Sequence, residues 1–253
     1  MLHLEELTLI LHISGRSILK SGTDFDDKLL IHMKQLHRFI FYVQSTERIN
    51  DPTIPISISD IEQSFINRKY GQVACMIDCL DSSSILYRIF SLPTKFNYLN
   101  DITNNIPNII FNSVTYLKLK DRNAFKHEFF VRLQRSFPNV KHLSISNIQQ
   151  RYWRCNERYL LEKDWCSIIE FSHLIVLDVK DANFYYLEHF LNETKTHLPC
   201  LTELKVNYDH LKRVTENFTK DEIRRNCSRV QRIILERPIV YAEHVYRFFP
   251  SLL

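Results

Sequence analysis

Three adjacent His and Glu pairs could begin a hydrolytic site: His127-Glu128, Glu188-His189 and Glu243-His244. A zinc-binding helix of the His-Glu-x-x-His type needs a second histidine four residues after the first, so that both imidazoles share one face. After His127-Glu128 the chain reads Phe-Phe-Val, and Val131 stands where that ligand would be. The other two pairs have no partners nearby and read as helix-surface residues. Cys75 and Cys79 lie four apart on an expected strand, face one side, and read as packing thiols rather than metal ligands. Asp24, Asp26 and Asp27 lack the glycine and terminal glutamate of a calcium loop. They fit better as acids at a helix N-terminus, where peptide dipoles favour negative charge. Glycine occurs only at Gly15, Gly22 and Gly71, so neither a phosphate-cradling loop nor a Gly-x-Ser-x-Gly elbow can be built. No catalytic residue, metal or cofactor is expected, and the chain reads as non-enzymatic.

Bulk properties agree with a binding role. The 253 residues are 45% hydrophobic and 25% charged, an ordinary globular composition. A net charge of +4 is too small to indicate nucleic-acid binding by bulk electrostatics. No apolar run approaches the ~18–20 residues that cross a bilayer. The opening "MLHLEELTLILHISG" alternates apolar with polar residues, unlike the basic flank and continuous apolar run of a secretory signal. The six cysteines are dispersed without a Cys-x-x-Cys pair, as expected of reduced thiols in the cytoplasm or nucleus. Asn-x-Ser/Thr triplets at Asn192, Asn217 and Asn226 argue only weakly for secretion.

The elements that would position a binding surface are written as a repeated phrase. "FPNVKHLSI" (Phe137–Ile145) and "LPCLTELKV" (Leu198–Val206) share an apolar–x–x–apolar–x–apolar outline. The outline recurs at Leu4/Leu7/Leu9, Leu36/Phe39/Phe41, Val114/Leu117/Leu119, Val140/Leu143/Ile145, Leu174/Leu177/Val179, Leu201/Leu204/Val206 and Val230/Ile233/Leu235. Successive starts are 32, 78, 26, 34, 27 and 29 residues apart, a period of stacked supersecondary units. Residues 50–110 read as degenerate units, with strands expected at Gln72–Leu80 and Ser84–Leu92. Between phrases the period becomes helical: Phe125, Phe129, Leu133 and Phe137 form one stripe, and Phe184, Leu187, Phe190, Leu191 and Leu198 another. Phe25, Leu29, Leu30 and Met33 do the same near the start. Asn123 and Asn183 are placed to cap the helices that follow, and Thr219–Glu222 ("TKDE") reads as a capping box. A strand followed by a helix cannot bury its apolar face alone, so the units should stack. The expectation is an α/β fold: one irregular leucine-rich-repeat-like solenoid over 1–253, with a parallel sheet on the concave side, helices on the convex side and an insertion at 147–167.

The stretches "AFKHEFFVRLQRSFPNVKHLSI", "SIIEFSHLIVLDVKDA" and the segment from Phe190 to Val230 resemble the repeat half of F-box proteins from expanded invertebrate families. That resemblance implies a substrate-receptor subunit of a ubiquitin ligase, in which an F-box docks on the ligase core and the repeat arc holds a target. The chain itself begins on a repeat strand without an F-box, so the ligase-core adaptor is expected as a partner only of a parent that carries one. The asparagine ladder of regular leucine-rich repeats is also absent. Three residues after the third apolar position come His12, Gln44, Arg122, Ile148, Ala182 and Asp209, which predicts irregular turns and a shallow arc.

Residues flanking the apolar positions should form the open face. Its expected protein-binding residues are Arg38, Tyr116, Lys118, Lys120, His142, Asp178, Lys180, Glu203, Lys205 and Arg232. Strands about 4.8 Å apart would give eight of them a face about 35–40 Å wide. Lysine leads in its middle, which favours a protein target with an acidic segment. A second candidate surface is Arg151, Tyr152, Trp153 and Arg154 in the insertion, since Trp, Tyr and Arg dominate contact energetics. A monomer that binds no membrane and no nucleic acid is expected. The alternative is a free-standing leucine-rich interaction domain unconnected with ubiquitin.

Overall fold

Alternating apolar and polar residues build strands at both ends of the chain, but those strands join into separate sheets. The computed structural model describes residues 5–14, 19, 21–33, 35–48, 57–66, 71–79, 84–121, 124–147, 167–237 and 239–253. The chain divides into two compact units, Met1–Phe96 and Asn97–Leu253. Its architecture is mixed α/β with parallel sheets and helices. Among the described residues, no helix is long and apolar enough to cross a membrane.

The first unit contains β1 (Glu6–Ser14), α1 (Gly22–Asp24), β2 (Arg38–Arg48), α2 (Ile58–Gln63), β3 (Val73–Cys79) and β4 (Ser84–Ser91). Ser21 opens α1 with a reciprocal capping box to Asp24, and the helix runs on as a π-helical turn over Phe25–Leu30. The sheet order is β1-β2-β4-β3, with β1 and β2 parallel and both pairings of β4 antiparallel. Leu7, Leu9 and Leu11 pair in register with Phe39, Phe41 and Val43. Phe25 packs on this face, its ring 4.8 Å from Phe41 and 5.1 Å from Phe65. On the opposite face Tyr42, Ala74, Met76, Leu86 and Phe90 are buried as well. So are Asp78 and Arg88, whose side chains are fully buried and joined by a hydrogen bond from Arg88 Nη1 to Asp78 Oδ2.

This corrects the expectation of one unbroken parallel sheet through residues 1–253. Leu7 and Leu9 of the first phrase lie on β1 and Phe39 and Phe41 of the second on β2, in a mixed four-stranded sheet. The strands expected within 50–110 form as β3 and β4 but pair antiparallel. Only residues 80–83 separate them, whereas a parallel crossover needs a dozen or more.

The second unit runs β5 (Tyr98–Ile102), β6 (Tyr116–Asp121), α3 (His127–Ser136), β7 (His142–Asn147), β8 (Ile169–Glu170), β9 (Val176–Asp178) and α4 (Phe184–Leu191). It continues β10 (Thr196–His197), β11 (Glu203–Lys205), α5 (Tyr208–Val214), α6 (Asp221–Cys227), β12 (Arg232–Ile234) and α7 (Glu243–Phe248). Six strands form a parallel sheet in the order β12-β11-β9-β7-β6-β5, and β8 pairs with β10 to one side. Leu117, Leu143, Leu177 and Leu204, the middle apolar residues of four phrases, lie in one register row with Leu99 and are 0% exposed, while Ile233 at the end of the row is half-buried. The predicted helical stripes form α3 and α4, with Phe129, Leu133, Leu187, Phe190 and Leu191 buried.

Helix ends and loops are tied by side chains. Asn183 caps α4 as expected, accepting from the Tyr185 N–H at 3.1 Å, and Asn207 caps α5. Asn123 lies outside the described residues. The Thr219–Glu222 capping box does not form: α6 begins at Asp221, and the Thr219 hydroxyl instead donates to the Glu216 carbonyl at 2.6 Å. Left-handed backbone at Glu216, Asn217 and Phe218 turns the chain there and draws Thr219 back toward α5. Asn226 on α6 is buried and bonds four ways. Its Nδ2 faces the carbonyls of Phe190, Leu191 and Thr196, and its Oδ1 accepts from the Leu198 N–H. Two of those carbonyls end α4, where the helix has no intrahelical donors to offer. Tyr186 links α4 to the end of β6, donating to the Asp121 carboxylate and accepting from the Phe125 N–H at 2.9 Å. Burial, then the Asp121 charge, pushes the Tyr186 hydroxyl well above its usual range.

Candidate functional site

Strand register aligns the outward residues of the six-stranded sheet into rows. One row reads Tyr98, Tyr116, His142, Val176, Glu203 and Arg232. The next reads Lys118, Ser144, Asp178, Lys205 and Ile234, and a third holds Lys120 beside Ser146. Alternation along each strand produces this directly: the inward leucines are sealed, so their neighbours point the other way. Tyr98 is 42% exposed and the Arg232 side chain 65%, against none for the leucines behind them.

The two halves of the face differ. On β5–β7 the rings stack, Tyr98 on Tyr116 at 4.8 Å and Tyr116 on His142 at 4.2 Å between centroids. Burial, then the neighbouring Lys205 charge, lowers the His142 pKa. Its Nε2 is buried and has no hydrogen-bond partner among the described residues. Tyr98 is shifted upward by burial, then by Tyr116 and Asp101. Lys118 and Lys120 flank the rings, and neither has a carboxylate partner among the described residues. On β9–β12 the charges satisfy one another: Glu203 lies 3.6 Å from Lys205 and 3.2 Å from Arg232.

The structure thus brings together Tyr116, Lys118, Lys120, His142, Asp178, Glu203, Lys205 and Arg232 on one sheet, with Lys180 in the turn after β9. Arg38 is the correction. It lies on β2 of the other sheet and faces Glu6 at 3.5 Å, because the first two phrases were recruited into the mixed sheet. Arg151, Tyr152, Trp153 and Arg154 lie outside the described residues. Sequence reasoning missed Tyr98. Its strand carries Leu99-x-x-Ile102 rather than the full phrase, because a register shift between Leu99 and Ile102 and left-handed Asp101 interrupt the alternation.

Titratable groups elsewhere are structural in placement. His127 and His189 approach to 5.4 Å between ring centroids, and His189 stacks on Phe130 at 4.7 Å. Burial, reinforced by His127 and Lys195, pulls the His189 pKa down to about 3. Cys75 is raised to about 12 by burial and then by Glu62, so its thiol is inert. Glu170 accepts from Ser172 Oγ at 2.8 Å and faces His197 at 3.3 Å. The hydroxyl therefore bonds the acid rather than the imidazole, and no nucleophile–base pair results. Among the described residues, no group of three or more His, Cys, Asp or Glu side chains could hold a metal ion. Comparisons of the chain with family models, with curated proteins and with solved structures return no match.

Proposed function

We propose that this chain is a non-enzymatic protein-interaction scaffold that works through the open face of its six-stranded parallel sheet. The observation that carries this reading is the row running from Tyr98 through Tyr116 and His142 to Arg232. It spans the sheet in register and keeps partial exposure over a sealed leucine row. Aromatic and arginine side chains on a rigid parallel sheet supply contact area at low conformational cost. In its finer form the proposal is a leucine-rich-repeat-like arrangement over the second unit, where the phrases recur 26 to 34 residues apart. The biological role would be that of the substrate-recognition half of an F-box subunit of a ubiquitin ligase, in the cytoplasm or nucleus. Holding a target there raises the local concentration of its lysines near the conjugating machinery.

Cross-linking mass spectrometry on the full chain in its own cells tests the face. Cross-links from Lys118, Lys120 and Lys180 to a partner protein are expected to outnumber those from Lys126 and Lys212, which are exposed elsewhere in the second unit. Partner cross-links concentrated at Lys126 and Lys212 would overturn the reading. The ubiquitin role is tested separately, by whether the gene encodes an F-box in frame before Met1 and whether its product recovers the ligase-core adaptor. A product that binds its target through this face and recovers no adaptor is a free-standing interaction module.

A further inference from the structure

The lysines on β6 have a spacing that specifies more than bulk positive charge. Tyr116, Lys118 and Lys120 occupy alternate positions of one strand and project to one face, about 6.6 Å between successive side chains. The stacked rings of Tyr116 and His142 lie at one end of this line. Ser144, which is buried, and Ser146, whose hydroxyl faces the Leu119 carbonyl at 3.4 Å, stand beside the two lysines in register. Neither lysine has a carboxylate partner among the described residues, although Asp101 on β5 acts on Tyr98. On the other half, Asp178 and Glu203 would repel an acidic ligand, and Glu203 already holds Lys205 and Arg232.

We infer that the β5–β7 half of the face binds an extended acidic peptide segment with an aromatic residue at one position and carboxylates two and four positions from it. This rests on the proposed binding face and names its ligand. An extended chain laid along β6 directs alternate side chains downward with the same repeat as the strand beneath. One ring therefore meets Tyr116 and His142, while the two acids meet Lys118 and Lys120. Acids at adjacent positions would point to opposite sides, and only one could reach the sheet. The strand below sets this spacing and leaves the peptide's direction free, so both chain orders satisfy it.

Fluorescence anisotropy with the full chain and labelled twelve-residue peptides provides the test. The matched peptides carry Tyr-x-Asp-x-Asp or Asp-x-Asp-x-Tyr, and the control has the same composition with its two aspartates adjacent. At least one matched peptide is expected to bind about tenfold tighter than the control, and to weaken as salt is raised. Replacing its tyrosine by alanine should weaken binding about two- to tenfold, the range of an aromatic contact. A Lys118→Gln, Lys120→Gln double variant should lose the tenfold preference, and a Lys126→Gln, Lys212→Gln variant should keep it. Thermal melting confirms that both variants fold, since all four side chains retain solvent exposure. Equal binding of matched and control peptides overturns the inference. So does tighter binding of an oligothymidylate of twelve nucleotides than of either matched peptide. If partner cross-links still map to Lys118 and Lys120, such a result removes the peptide chemistry and leaves the binding face standing.

Discussion

Both sheets carry the same apolar–x–x–apolar–x–apolar phrase, yet the β2–β4 part of the first is buried on two faces and the second sheet on one. In the first, Leu7, Leu9, Phe39 and Phe41 line one side, while Tyr42, Met76, Leu86 and Phe90 close the other around Arg88 and Asp78. In the second, the leucine row is sealed and the alternate positions carry Tyr116, Lys118, Lys120 and His142. The phrase therefore specifies an inward row and nothing more. Whether the reverse side becomes core or contact surface depends on the residues between the apolar positions. On β4 those are large and apolar apart from one arginine, and on β6 they are tyrosine and lysine.

The sharpest way to break this contrast is Arg88→Met. Removing one partner of a fully buried ion pair takes the opposite charge away from buried Asp78, and the expected loss is about 3–5 kcal/mol in urea unfolding. Adding Asp78→Leu should recover most of it. A loss below about 1 kcal/mol for Arg88→Met would mean that the second face of this sheet is not a dry core. Next in size is Leu143→Ala in the central inward row of the second sheet, expected to cost about 2–5 kcal/mol through lost burial and a residual cavity. A much smaller value would show that the leucine row is loosely packed and the sheet a poor platform.

Acid should weaken the second unit through its buried histidines. Folding lowers the His189 pKa from 6.5 to about 3, with burial the main cause, so the unfolded chain takes up the proton first as pH falls. The stabilisation is complete above pH 6.5 and declines toward pH 3, with a slope approaching about 1.4 kcal/mol per pH unit. His127, shifted downward by burial, adds in the same direction. Replacing the imidazole, as in His189→Leu, should flatten the urea midpoint between pH 6 and 4.5 relative to the parent. An unchanged slope would assign acid sensitivity to other groups. The smallest expected effect sharpens the comparison from the other side. Lys118→Glu or Lys120→Glu should change stability by less than about 0.5 kcal/mol while abolishing acidic-peptide binding.

Much of the second sheet was legible in the sequence, and the reason is local. The middle residues of the phrases from Val114/Leu117/Leu119 through Val230/Ile233/Leu235 lie on strands joined by long links, the shortest being 122–141, and crossovers of that length allow parallel neighbours. Leu36/Phe39/Phe41 carries the same local signal. Its neighbour β4 arrives through a short link from β3, and an antiparallel partner satisfies inward alternation equally well. That link was visible as Asp81–Ser83 between the two expected strands, and it was the cue for a hairpin. Asp78 and Arg88 were harder to find, since ten residues of separation become a contact only once the hairpin register is set. On the face itself, the lysines followed from alternation. The Tyr98–Tyr116–His142 stack did not, because it depends on an interrupted strand joining the sheet beside β6.

Asn226 opens an Asn-Cys-Ser triplet, the pattern at which N-linked glycans are attached. The atom that would carry the sugar is Nδ2, and in this fold it is buried against the carbonyls of Phe190, Leu191 and Thr196. Glycosylation and folding exclude one another at this residue. A chain modified there during translocation would leave the end of α4 without its donor and could not seat α6, so oligosaccharide at Asn226 would mark molecules that have failed to fold.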